Sequence, residues 1–202
     1  MPDKGGEMKS KSAQNKKYRE LKDLALKSGA SRVAVFPARK VVIDDRIKIK
    51  CEVPQCENLR KNLMCYYAPD VERMKKLVQA YETALLIQTV HPVETPVKKR
   101  GHGSVIDAYA SSIPLHTIIN KVESAALMRG FGYAVGFIGG PCKLCKTCVG
   151  PFSKEQCRHP FMSRPSMESV GMDVALIAKN AGLPFDIPVT KEVVWNGIIL
   201  LE

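Results

Sequence analysis

The chain has 202 residues, 45% of them apolar and 25% charged, with 31 Lys and Arg against 20 Asp and Glu for a formal charge of +11. That much apolar content supports one core without disulfides, and with only 14 Gly, 13 Pro and no tandem repeat it excludes disordered, fibrous and array classes. No apolar run approaches the roughly 18 residues of a membrane span, and the N-terminal segment lacks an apolar secretory stretch, so a cytoplasmic protein with no membrane association is expected.

Residues 1–17 carry Lys4, Lys9, Lys11, Lys16 and Lys17 with few apolar side chains and read as a flexible, disordered basic tail. One domain is expected over 18–202. Tyr18, Leu21, Leu24 and Ala25 recur at helical spacing, and Gly29 is placed to cap that helix. From Arg32 to Lys50 the β-branched pattern of Val33, Val35, Val41, Val42, Ile43, Ile47 and Ile49, broken at Pro37 and Asp44-Asp45, predicts two or three short strands. Cys51, Cys56 and Cys65 then fall in a loop. Asp70 is positioned to cap a helix bearing Val71, Met74, Leu77, Val78 and Tyr81, and Ala84 to Val90 predicts a buried strand. His91 to Gly103, with Lys98-Lys99-Arg100, reads as an exposed loop. Leu115, Ile118, Ile119, Val122 and Ala126 predict an amphipathic helix ending at Gly130, followed by a strand from Tyr133 to Ile138. A cysteine loop over 142–157, a helix over Ser166–Asn180 capped by Ser166, and a strand over Val193–Leu201 complete the chain. Strands alternating with helices predict an α/β fold, a single layered domain with a mixed β-sheet and its first hairpin at the edge.

Seven cysteines cannot close a disulfide framework, and in a reducing compartment thiolates held by metal are the alternative. Cys142, Cys145 and Cys148 stand in C-x2-C-x2-C, with Cys157 following after eight intervening residues. Two successive two-residue gaps suit a compact four-iron, four-sulfur (4Fe-4S) cluster, each iron taking one thiolate; zinc on four cysteines tolerates the same spacing and is the alternative. Cys157 is followed by Arg158-His159 rather than directly by Pro, which argues against a two-cluster ferredoxin domain. Lys143, Lys146, Lys154 and Arg158 surround the loop, either lowering the thiol pKa values or standing as solvated charges.

Cys51, Cys56 and Cys65 in C-x4-C-x8-C offer three thiolates. They read as a second cluster site with one open iron, as zinc completed by His91 or His102, or as buried apolar thiols. No G-x-G-x-x-G opens a helix, no phosphate loop is present, and Ser104, Ser111 and Ser112 near His102 and Asp107 lack a nucleophile elbow.

The strings CEVPQCENLRKNLMC, GGPCKLCKTC and CRHPFMSRPSMESVGMDV resemble a family of archaeal and bacterial proteins described as predicted metal-binding, the domain of unknown function twenty-two eighty-four. The resemblance spans roughly 18–202. It departs where Tyr66 and Tyr67 follow Cys65, the family having two prolines there. It implies metal binding through the matched cysteines in a cytoplasmic, often anaerobic setting, names no reaction, and marks Arg158, His159, Arg164 and Ser166 as motif residues. The expected roles are electron transfer or redox-enzyme accessory work with a redox or acidic partner protein. An enzyme using the open site for sulfur transfer or Lewis-acid chemistry, and a zinc-stabilised interaction module, are the alternatives. The basic surface also attracts nucleic acid, but aromatics at 6% supply no stacking platform, which favours a protein partner.

Overall fold

The computed structural model describes residues 4–92, 111–187 and 192–202, with side chains from residue 14 onward. Two long apolar segments form its centre, β2 (Thr83–Pro92) and β4 (Glu192–Leu201), paired antiparallel with Leu85 opposite Ile199 and Ile87 opposite Gly197. Successive side chains of a strand point to opposite faces, and here both faces are covered, so Ala84 to Ile87 and Ile198 to Leu201 are all fully buried. The edges are β1 (Arg32–Pro37) beside β2 and β3 (Val135–Ile138) beside β4, giving the order β1-β2-β4-β3.

On one face, α1 (Lys4–Lys27) and α5 (Ile113–Met128) pack Tyr18, Leu21, Ala25, Ile118, Ile119 and Val122 against Leu85, Ile87 and Ile199. On the other, α4 (Val71–Gln79) and α6 (Val174–Asn180) bring Met74, Val78, Ile177 and Ala178 onto Phe36, Leu86, Ile198 and Leu200. The chain is therefore α/β and layered, helices on both faces of the sheet.

Several expectations hold locally. Asp70 accepts from Arg73 N at 2.8 Å as the N-cap of α4, and Gly29 at φ +104° ends α1, with Ala30 N donating to Ala25 O at 3.0 Å. Others are corrected. The four-stranded sheet is antiparallel at every pairing rather than mixed; among the described residues the one parallel contact is an isolated bridge between Ile138 and Ser166. No hairpin forms within 32–50: β1 pairs with β2 instead, and α2 (Arg46–Glu52) takes up Ile47 and Ile49. Two aspartates interrupt the β-branched run just before it, and neither isoleucine becomes fully buried, so no sheet position competes with the helix. Of the segment expected as a tail, residues 4–17 are helical and continue into the anchored turns from Tyr18 to Ala25. The expected loop from His91 reaches only Pro92 within the described residues, and those two residues are the end of β2; the remainder lies outside them.

Candidate metal centre

Strand β3 ends in Ile138 and delivers Gly139-Gly140-Pro141 to the second cysteine segment. Gly139 N donates to Asn196 O on β4, and Gly140 turns at φ +76° against the Trp195 ring, where a Cβ would stand 2.9 Å from the indole. That turn carries Cys142 off the sheet. Cys142, Cys145, Cys148 and Cys157 then line one cavity of about 290 Å³, together with Asn58, Asn62, His159 and Ser163.

The thiol of Cys157 is the best supported by hydrogen bonds. His159 N donates to its Sγ at 3.4 Å, and the thiol donates to Ser163 Oγ at 3.5 Å. It is thus the backbone of His159, with the neighbouring hydroxyl of Ser163, that meets the sulfur. Arg158 instead donates to Thr147 O and pairs with Glu155, and Arg164 is drawn away to Glu123.

The first cysteine segment is more structured than a loop. Cys51 lies in the last turn of α2, Cys56 in the turn that follows, with its N–H donating to Cys51 O at 2.8 Å, and Cys65 in the short helix α3 (Leu63–Tyr66). The N-cap of α3 is Asn62, whose Oδ1 accepts from Met64 N at 3.0 Å. All three thiols line a second cavity of about 300 Å³, whose walls are mostly apolar. His91, on β2, lines neither cavity, and His102 lies outside the described residues.

The two segments meet. Asn62 Nδ2 donates to Cys142 O at 2.8 Å, Lys143 Nζ to Asn58 Oδ1 at 3.1 Å and the Tyr67 hydroxyl to Pro151 O at 3.1 Å. Asn58 lines both cavities, so two cysteine sets far apart in sequence face adjoining spaces across one asparagine.

Burial governs the thiols. It pushes Cys65 up to about 12, helped by the negative potential of Cys51, Cys56 and Glu168, and Cys142 up to about 11, against the pull of the Leu144 N–H. Cys51 is raised for the same first reason. At Cys142 burial, reinforced by the neighbouring Cys157, Cys145 and Cys148, outweighs any lowering by the cations of the loop. Metal uptake at these thiols must therefore displace protons.

All seven cysteines are free thiols of intermediate burial, and among the described residues no group of three or more His, Cys, Asp or Glu is placed to hold a metal ion. Four thiols around a cavity of several atoms' volume are nevertheless the donor type and number that a cubane takes. Glu168 is a residue of this site that the motif spacing does not single out. It heads a 3-10 turn (Glu168–Val170) and borders the second cavity, both carboxylate oxygens accepting from Gly140 N at 3.2 and 3.0 Å. Its only sequence signal is its distance of two from Ser166, whose hydroxyl donates to Oε2 at 2.7 Å.

Among the described residues no helix is long and apolar enough to cross a membrane. Neither the curated proteins nor the solved structures contain a match to the chain. The family model described as predicted metal-binding protein (DUF2284) matches residues 34–201, every cysteine included and α1 left out, and the chain belongs to that family.

Proposed function

We propose that this metal-binding family member holds a 4Fe-4S cluster on Cys142, Cys145, Cys148 and Cys157 and works in electron transfer or as an accessory to a redox enzyme in a reducing, cytoplasmic setting. The observation that carries the reading is the convergence of these four thiols on one cavity of about 290 Å³, with the C-x2-C-x2-C spacing contributing three of them. Bound there, the cluster would supply reversible one-electron chemistry. The chain's own contribution is to fix and tune. Hydrogen bonds to a ligating sulfur shift a cluster's potential, and His159 N and Ser163 Oγ at Cys157 are placed for that role. Cys51, Cys56 and Cys65 are the candidate ligands of a second centre, next to the first across Asn58.

The exposed surface of the two cysteine segments supports docking of an acidic redox partner protein. Tyr66, Tyr67 and Phe152 pack edge to face at 4.9 and 5.4 Å between ring centroids, yet Tyr67 is 64% and Phe152 77% exposed. Exposed aromatic clusters are characteristic of interface cores. Lys143, Lys146, Lys154 and Arg158 against the single Glu155 give residues 142–158 a positive field that favours an acidic partner over nucleic acid.

The test is iron, acid-labile sulfide, zinc and visible absorption on anaerobically purified protein and on Cys145→Ser. About four irons lost in the variant support one cluster, and about eight, half of them retained, support two. Stoichiometric zinc without iron overturns the reading in favour of a zinc-stabilised module.

A further inference from the structure

The second cavity goes beyond a ligand shell for metal. At about 300 Å³ it has the size of a small-molecule site, and most of its wall is apolar: Ile47, Met172, Val174, Phe185 and Ile187. Three charged side chains line it, the carboxylates of Glu168 and Asp173 and the ammonium of Lys50. Asp173 Oδ1 is engaged in capping α6, accepting from Leu176 N at 3.0 Å. Glu168 is different. It is pinned by Gly140 N and the Ser166 hydroxyl, contacts that hold its carboxylate in one orientation at the border of an apolar space. A carboxylate oxygen has acceptor capacity beyond such contacts.

We propose that this cavity binds a small primary amine, its ammonium hydrogen-bonded to Glu168 beside Cys51 and Cys65 and its apolar body against Met172, Phe185 and Ile187. Two carboxylates to one ammonium set the sign of the head group, and the aromatic ring of Phe185 with the aliphatic wall sets the body. The site does not require that the thiols hold metal.

The test is calorimetric titration of the protein, purified with whatever metal it carries, using 2-phenylethylamine and the anion of similar shape, 3-phenylpropionate. The amine is expected to bind at millimolar concentration or below and the anion not to. Glu168→Gln keeps an acceptor for Gly140 N while removing the charge, and should weaken the amine by about tenfold or more. Ala175→Phe, which fills the cavity from its wall, should abolish binding. Metal content and circular dichroism of both variants report folding and the cluster reading separately. Equal binding of the anion, unchanged binding in Ala175→Phe, or no heat from the amine overturns the proposal. If Glu168→Gln does not fold, the paired probes and Ala175→Phe still decide it.

Discussion

Arg164 and Glu123 are joined by two hydrogen bonds, Nε to Oε2 at 2.8 Å and Nη2 to Oε1 at 3.1 Å, with side chains 14% and 13% exposed. Arg164 Nη1 also donates to the carbonyls of Phe161 and Ser163, so the pair ties the segment carrying Cys157 and Ser163 down to α5. A buried pair contributes little net stability over apolar replacements, but breaking it strands a charge. Arg164→Met is therefore expected to cost about 3–5 kcal/mol in urea denaturation, and adding Glu123→Gln should return a large part of it. A loss below about 1 kcal/mol in the single variant would mean that Glu123 finds water. Sequence marks Arg164 as part of a motif, yet its partner lies 41 residues upstream, which no local spacing reveals.

The elements that were legible are those whose signals are local and whose packing agrees with them. β2 and β4 follow from the apolar runs Ala84–Ile87 and Ile198–Leu201 within them, and α5 from an apolar stripe with Gly130 at φ +90° behind it. The pairing of β1 with β2 across more than forty residues, and the meeting of the two cysteine segments through Asn62, depend on contacts that no periodicity encodes. The helix read over Ser166–Asn180 divides into the 3-10 turn at Glu168–Val170 and α6, because Gly171 adopts φ +81° between them. Glycine allows that break without strain, and Asp173 becomes the working cap. Asp173→Ala should then lower stability by about 1 kcal/mol through α6. Ser166→Ala should leave α6 intact and instead release Glu168, a contrast that amide exchange at Leu176 and at Gly140 can read separately. Loss of protection at Leu176 in Ser166→Ala would restore the single longer helix.

At the scale of the whole molecule, acid acts first through His116, fully buried in α5. Burial holds its pKa down to about 4, a pull that the Met162 carbonyl opposes and the charge of Arg164 reinforces. The unfolded imidazole titrates near 6.5, so between those values the unfolded chain binds a proton that the folded chain does not. This contribution is complete above pH 6.5 and is lost as pH falls toward 4, by about 3 kcal/mol. His116→Leu should flatten the stability profile in that window; parallel profiles for both proteins would show that the buried ring accepts its proton without cost. Metal removal acts on a different part of the molecule. The two core clusters lie on the faces of the sheet, and of the seven cysteines only Cys142 packs against either, and then partly. The hydrophobic stabilisation of β2, β4, α4 and α5 therefore does not pass through the thiols. The cysteine segments, by contrast, are joined to each other by three polar side chains, Asn62, Lys143 and Tyr67, each contributing on the order of 1 kcal/mol. Reduced, metal-free protein should keep slow hydrogen exchange in β2 and β4 while residues 51–67 and 141–163 exchange quickly, a sub-global opening confined to the site. Cooperative loss of protection throughout the chain would instead mean that metal binding supplies the free energy of folding.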